Sequence, residues 1–154
     1  MSAVFAIANV AGAVSGTISF SQAGPGTLVN VGGIIQGLTP GLHGFHVHED
    51  PIMDGNCTTG GGHYNPFNMN HGAPTAKVRH VGDLGNIEAD ENGFAILNIV
   101  DSYLQLSGEH SILGRSIVVH ADRDDLGLGG QEDSLTTGHA GDRVGCGNIM
   151  VPGA

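Results

Sequence analysis

Apolar and polar side chains alternate along much of the chain, which is the period expected of half-buried β-strands. Between residues 14 and 20, apolar residues and glycine occupy every second position, with Ser15, Thr17 and Ser19 between them. Comparable stretches recur as far as the C-terminal region. The predicted strands are Val4–Ala8, Val14–Phe20, Val29–Ile35, Leu42–His48, Gly82–Ala89, Phe94–Val100, Ser116–His120 and Val144–Val151.

Glycine and proline mark the turns between these strands. Gly24-Pro25-Gly26 and Thr39-Pro40-Gly41 are turn sequences, and Asp90-Glu91-Asn92-Gly93 is typical of a hairpin turn. No stretch of about ten residues has a convincing helical pattern. Eight short strands with glycine-rich turns indicate an all-β sandwich or flattened barrel. A length of 154 residues suits a single domain over residues 1–154.

Two long segments interrupt the regular spacing of the strands. They are Glu49–Val81 and Ala121–Asp142, and each follows directly after a histidine at the end of a predicted strand. Connections longer than about 12–15 residues in a compact domain are usually functional or disordered. We therefore expect two long functional loops.

The charge of the chain excludes two classes of partner. Lys and Arg total 5 and Asp and Glu total 15, which gives a formal net charge of −10. Nucleic acid and anionic membranes repel such a protein, so neither is an expected partner.

The apolar start, Met1–Val14, lacks the positive charge of a signal peptide and is interpreted as a strand. The expected location is the cytoplasm, with secretion after removal of a signal peptide as the alternative.

Histidine is the unusual residue of this composition, with nine copies. His46 and His48 lie two positions apart on a predicted strand, so their side chains point to the same face. Phe45 and Val47 point to the opposite face, where apolar packing is expected. Two imidazoles placed in this way can bind one metal ion, but they can also be ordinary histidines of a sheet.

The first long loop concentrates further ligand types. His63, His71, His80 and Asp83 fall within 21 positions, and Zn²⁺ is commonly held by four N, O or S ligands. A metal ion could order this loop, which is poor in apolar residues; the alternative is a flexible loop that happens to contain histidines. His120 ends a buried strand and is either a further ligand or a histidine bonded to a carbonyl group.

Eight stretches of the chain together form a distinctive set: they are Gly44–Glu49, His63–Pro66, Arg79–Asn86, Gly114–Ser116, Val118–His120, Asp124–Gly127, Thr137–Arg143 and Cys146–Gly147. Taken together, they resemble the copper/zinc superoxide dismutase family. The resemblance extends from about Ala3 to Ile149 with almost no gaps.

The resemblance implies an eight-stranded Greek-key sandwich and the disproportionation of superoxide to O2 and H2O2 by copper redox cycling, with zinc in a structural role. In addition, His63 would bridge both metals and take up a proton during the reaction, and Asp124 would link a copper histidine to a zinc histidine. The implied ligands are His46, His48, His63 and His120 for copper, and His63, His71, His80 and Asp83 for zinc.

The resemblance also implies a role for Arg143, a disulfide and partners. Arg143 would guide the superoxide anion to the metal. The sequence alone permits two free thiols or one bridge, and the family bridge joins Cys57 to Cys146. A homodimer and a copper-delivery protein are the expected protein partners, although Asp50–Met53 departs from the family at its dimer interface.

Three histidines remain outside the implied ligand sets. His43 has the opposite strand parity to His46 and is expected to be a hydrogen-bonded core residue. His110 is expected to be structural, and His139 has no assigned role. Ala121–Asp142 contains no lysine, so Arg143 is expected to provide most of the local attraction for an anion.

Two other function classes are compatible with a metal-binding β-sandwich. One is a copper- and zinc-binding or copper-handling protein of the same fold with little turnover. The other is a sandwich-type interaction module, since a fold alone does not determine function. The complete set of copper ligands, together with Arg143, favours the enzyme, because metal binding alone does not need a guided anion channel.

Overall fold

A computed structural model describes residues 2–153, so Met1 and Ala154 lie outside the described part of the chain. All eight predicted strands are present, and the one regular helix described is a single 3-10 turn. The strands are β1 (Val4–Gly12), β2 (Ser15–Gln22), β3 (Val29–Gln36), β4 (Gly41–His48), β5 (Asp83–Ala89), β6 (Ala95–Asp101), β7 (Ser116–His120) and β8 (Arg143–Asn148), and the 3-10 turn is Cys57–Gly60.

Two strands end three or more residues from their predicted ends, whereas the other bounds agree to within two residues. β1 extends to Gly12 because Asn9 continues to pair with Thr17, and Ala11 and Gly12 then pair with β8. β8 ends at Asn148, and beyond it Met150 makes only an isolated bridge to Ile7. Such long-range pairings are invisible in a local alternation of side chains.

The strands close into an antiparallel barrel in the order β1-β2-β3-β6-β5-β4-β7-β8. β6 pairs with β3 and β7 pairs with β4, so two connections pass over the ends of the barrel in a Greek-key arrangement. Closure leaves no free sheet edge among these strands. The observed fold therefore confirms the all-β barrel expected from the sequence.

The barrel interior is filled by the apolar side chains of the alternating pattern. Phe45 and Val47 of β4 are fully buried in it, together with Ile117 and Val119 of β7. The neighbouring positions on these strands, including His46, therefore point to the outer face of the barrel. This outer face is where the two long loops lie.

A disulfide joins one of the two long loops to the barrel. Cys57 and Cys146 form a disulfide across 89 positions, which ties the first long loop to β8 and confirms the predicted bridge. By the chain-entropy account, closing a loop of that length stabilises the fold by about 4–5 kcal/mol.

No helix in residues 2–153 is long and apolar enough to cross a membrane.

Candidate metal centre

Two strands bend where they present histidines. The pairing of β4 with β5 shifts register between Gly44 and His46, and that of β7 with β8 shifts between Val119 and His120. Bulges of this kind re-aim side chains beside functional sites. At Gly44, a Cβ atom would lie 2.8 Å from the Ala140 Cβ, so the absence of a side chain allows the loop to approach the strand.

Four histidines converge outside β4 and β7. His46 and His48 come from β4, His120 comes from the end of β7, and His63 is brought beside them by an isolated bridge to His48. Each offers one ring nitrogen, and these nitrogens lie within 4.8 Å of one another. We call this the four-histidine group. His46 and His63 stack with ring centroids 4.0 Å apart.

The outward ring nitrogens of this group are held by fixed acceptors. His48 Nδ1–H donates to the carbonyl oxygen of Gly61 at 2.8 Å, and His120 Nδ1–H donates to that of Gly141 at 3.0 Å. His46 Nε2–H donates to a carboxylate oxygen of Asp124 at 2.7 Å. Since a neutral imidazole carries one proton, the inward nitrogen of each ring keeps its lone pair.

Asp83 organises a second group on the other side of His63. Its Oδ1 atom lies 2.9 Å from the Nδ1 atoms of His63 and His71 and 3.2 Å from that of His80. Its Oδ2 atom accepts the backbone N–H groups of Gly72 and His80, which fixes the orientation of the carboxylate. We call His63, His71, His80 and Asp83 the three-histidine-aspartate group.

Asp124 links the two groups. Its second carboxylate oxygen accepts His71 Nε2–H at 2.7 Å, while the first accepts the His46 ring. The Asn86 side chain exchanges two hydrogen bonds with the Asp124 backbone and so places this carboxylate. A Cβ at Gly138, whose φ is 74°, would collide with Asp124 and His71, so only glycine fits there.

The buried polar atoms identify what these groups can bind. Within residues 2–153, five buried side-chain nitrogens have no hydrogen-bond partner, whereas most buried polar atoms in proteins are paired. All five belong to the two groups and point inward. They are His46 Nδ1, His48 Nε2, His63 Nε2, His71 Nδ1 and His120 Nε2. Of these, His71 Nδ1 lies 2.9 Å from Asp83 Oδ1 but without hydrogen-bond geometry. Convergent imidazole lone pairs are ligands for Cu and Zn, so the residues fit these metals.

Burial keeps the four-histidine group neutral, which is the form that binds metal. Burial, followed by the repulsion of neighbouring rings, lowers the pKa of His46 well below its ordinary value, and burial does the same to the pKa of His48. Burial also lowers the pKa of His63, and it lowers the pKa of His120 to about 4. At neutral pH these rings therefore offer lone pairs rather than positive charges.

In the three-histidine-aspartate group, the combined effect of neighbouring polar groups on the pKa values of Asp83 and His71 is larger than the effect of burial. Burial raises the pKa of Asp83, but the close rings of His63, His71 and His80 outweigh it and hold that pKa well below its ordinary value. For His71 burial lowers the pKa, and its bond to Asp124 together with the close Asp83 carboxylate reverses this and raises it to about 9. The carboxylate remains charged and attracts a cation.

Arg143 lies beside the four-histidine group. It is half-buried, and its guanidinium donates to the carbonyl oxygens of Cys57 at 2.8 Å and Gly61 at 2.6 Å. Gly61 therefore receives bonds from both Arg143 and His48. Cys57, Arg143 and Asp142 line a common surface cleft of about 720 Å³.

Three predicted histidines belong to neither group. His43 is buried and its Nδ1–H donates to the carbonyl oxygen of His120, which confirms a hydrogen-bonded core residue. His110 packs edge-to-face against Phe67, with ring centroids 4.7 Å apart, and belongs to neither group. His139 is exposed and bonds to Asp133 at 2.6 Å.

Sequence reasoning missed three groups that orient the histidines. These are the carbonyls of Gly61 and Gly141 and the side chain of Asn86. Asn86 lies within a motif recognised in the sequence, so a signal for it existed. A backbone carbonyl leaves no signal in the residue type.

Comparison with known proteins gives the class to which this arrangement belongs. The model of the family described as "Copper/zinc superoxide dismutase (SODC)" matches residues 14–149. That stretch covers most of the chain, including all of the histidines discussed above. The chain belongs to the copper/zinc superoxide dismutase family.

Two curated relatives are similar over nearly the whole chain. "Superoxide dismutase [Cu-Zn]" of Onchocerca volvulus is 51% identical over 144 residues, covering 92% of this chain and 91% of the relative. "Extracellular superoxide dismutase [Cu-Zn]" of Brugia pahangi is 51% identical over 143 residues, covering 91% and 71%. The family metals are copper and zinc, which agrees with the donor atoms of the two groups.

The raised pKa of His71 gives a prediction for the metal-free protein. NMR titration of its ring should give a pKa near 9, and Asp124→Asn should lower it by removing one neighbouring negative charge. Because the folded pKa exceeds the unfolded value near 6.5, protonation of His71 stabilises the metal-free fold fully below about pH 6.5. That contribution is lost as the pH rises through about 9. The control is Asp133→Asn, a partly exposed change in the same loop at a carboxylate that bonds to His139. An unshifted His71 pKa in the unsubstituted protein would contradict this prediction.

Proposed function

We propose that this protein, a single domain over residues 1–154, is a superoxide dismutase that converts two superoxide anions and two protons to O2 and H2O2. The observation that carries the proposal is the convergence of buried, unpartnered imidazole nitrogens on the outer face of the barrel. Membership of the copper/zinc superoxide dismutase family and the names of both relatives support it.

We assign the metal ligands by the atoms that face one another. The proposed copper ligands are His46 Nδ1, His48 Nε2, His63 Nε2 and His120 Nε2, and the proposed zinc ligands are His63 Nδ1, His71 Nδ1, His80 Nδ1 and Asp83 Oδ1. Bound copper would supply the one-electron chemistry that superoxide disproportionation requires, and zinc a fixed positive charge. Asp124 then orients rings of both sets, as acceptors behind metal-binding histidines commonly do.

Two further roles, proton transfer and attraction of the anionic substrate, are assigned to side chains beside the metal ligands. His63 Nε2 has no hydrogen-bond partner, so its lone pair is free, whereas Nδ1 faces Asp83. Nε2 is therefore the atom that can take up a proton and pass it to the reduced substrate oxygen. Arg143 is fixed by two carbonyls with its charge beside the four-histidine group, where it can attract a small anion. We therefore propose His63 and Arg143 as catalytic residues.

A turnover measurement tests the proposed function. Protein loaded with copper and zinc should remove superoxide catalytically, and His46→Ala should abolish this because one copper ligand is lost. His110→Ala, which removes a histidine outside both groups, is the control and should retain full activity. If protein that is fully loaded with both metals does not turn over superoxide, the copper-handling alternative is favoured instead.

The zinc assignment predicts a selective loss of metal. His71→Ala or Asp83→Ala should lose zinc first and speed hydrogen exchange in the loop 49–82, because this loop has few apolar contacts to replace the metal. Mass spectrometry under native conditions and backbone hydrogen exchange measure both effects. Retention of one equivalent of zinc in both variants, with unchanged exchange in this loop, would refute the assignment.

The role of Arg143 predicts a charge-specific effect. At low ionic strength Arg143→Ala should lower kcat/KM about tenfold with copper and zinc content unchanged, and Arg143→Lys should lower it less. Salt should slow the unsubstituted protein slightly, since screening weakens an attraction. A rate that rises with salt, together with little effect of Arg143→Ala, would show that the acids of the 121–142 loop dominate instead.

We further propose a homodimer formed through an apolar patch. Phe5 and Ile7 lie on one face of β1, Ile7 bridges to Met150, and Phe5, Met150 and Val151 are 60, 41 and 47% exposed. Phe5→Ser with Met150→Ser should shift the sedimentation coefficient from dimer to monomer. Ile96→Ser, at a 79% exposed position on β6, is the control. Unsubstituted protein that sediments as a monomer at micromolar concentration would contradict the proposal.

Two proposals rest on the family alone. We propose a copper-delivery protein as a transient partner and the cytoplasm as the compartment, with secretion as the alternative. One relative is named as extracellular and the other name gives no compartment, so both locations are compatible with the comparisons. Fractionation of the native source distinguishes the compartments.

A further inference from the structure

Within residues 2–153, the disulfide and the hydrogen bonds that join the segment 51–59 to the barrel strands come from β8. The disulfide joins Cys57 to Cys146, and the Arg143 guanidinium donates to the Cys57 carbonyl oxygen. The third connection is the side chain of Asn148. Its Oδ1 atom accepts the Ile52 N–H at 2.6 Å, and its Nδ2 donates to the Ile52 carbonyl oxygen at 3.1 Å.

The two hydrogen bonds of Asn148 use both polar groups of the Ile52 backbone. An amide side chain that both donates and accepts in this way substitutes for one residue of a β-ladder. Cys146 and Asn148 lie two positions apart on β8, so their side chains leave the same face of the strand. The disulfide and this amide pair therefore hold the same segment from the same side.

Hydrogen bonds within the segment connect its two attachment points. Asn56 N–H donates to the Met53 carbonyl oxygen at 3.0 Å, and Met53 N–H donates to Thr59 Oγ1 at 2.8 Å. Gly60 follows immediately, and a Cβ there would lie 3.1 Å from the Ile52 Cδ1 atom, so Ile52 packs directly over Gly60. Fixing Ile52 thus restrains the backbone that leads to Gly61.

That backbone carries the acceptors of the guanidinium. Arg143 bonds to the carbonyls of Cys57 and Gly61, on either side of the stretch restrained by Ile52. Reduction of the disulfide by a dithiol would deliver two electrons and two protons to the sulfurs and leave two thiols. The Asn148 amide pair contains no redox-active atom and no titratable group, so it would remain.

We infer that Asn148 is a positioning residue that holds the segment 51–59 against β8 independently of the disulfide and so keeps Arg143 in place when the bridge is reduced. The inference rests on the proposed role of Arg143 in attracting superoxide. Two neutral hydrogen bonds favour the attached segment by about tenfold or more.

The test uses the metal-loaded protein with Cys57→Ser and Cys146→Ser, which opens the bridge without a reductant. In this background Asn148→Leu keeps the shape of the side chain and removes both hydrogen bonds, whereas Asn148→Asp keeps the acceptor for Ile52 N–H. Asn30→Leu, at an exposed position of β3 remote from the segment, is the matched control.

Hydrogen exchange at the Ile52 amide reports directly on the pair. Asn148→Leu should speed this exchange about tenfold, Asn148→Asp should speed it less, and Asn30→Leu should leave it unchanged. Equal exchange with and without the Asn148→Leu substitution would overturn the inference. If the substituted protein without the bridge does not fold, the same comparison is made with the disulfide intact, and an unchanged Ile52 exchange rate there overturns the inference equally.

The ionic-strength dependence of kcat/KM separates positioning from general stability. In the bridge-free protein, Asn148→Leu should lower kcat/KM about threefold at low salt and flatten its salt dependence, with metal content unchanged. A purely structural loss would lower the rate equally at all salt concentrations, which would contradict a positioning role. If Arg143→Ala itself has no effect, the proposed function of Arg143 fails, while the Ile52 exchange still decides whether the amide pair holds the segment.

Discussion

The site depends on the hydrogen bonds that hold the outward side of a buried histidine cluster. Each outward N–H of His46, His48 and His120 is given to an acceptor fixed by a loop, so each inward lone pair has a defined direction. Burial disfavours the protonated form of these rings, so they stay neutral and able to bind metal. The same bonds order the two long loops, and so loop structure and ligand geometry are established together.

Much of this arrangement was predictable from strand parity and residue type. The common face of His46 and His48 follows from their two-residue spacing, and the buried faces of Phe45 and Val47 follow with it. The carbonyl of Gly61 could not be predicted, because its direction depends on the conformation of a 34-residue connection between β4 and β5. Pairings across the barrel, such as the extension of β1 onto β8, likewise depend on tertiary contacts that leave no local pattern.

β8 connects the stability of the fold to the chemistry of the site. It carries Arg143, Cys146 and Asn148, and each of them contacts the segment that precedes His63. This matters in a chain with a net charge of −10, where an anionic substrate is repelled by the average surface charge. In the proposed role of Arg143 a guanidinium held in one position supplies local attraction, and the segment 51–59 contributes the Cys57 carbonyl that helps to hold it.

In the proposed site, two different metals share His63. Anomalous X-ray diffraction from crystals of the copper- and zinc-loaded protein, recorded at the absorption edge of each metal, tests it most directly. We expect a copper peak among the inward nitrogens of His46, His48 and His120 and a separate zinc peak beside Asp83, with one ring nitrogen of His63 directed at each. A single metal position, or two positions of which only one contacts His63, would contradict it.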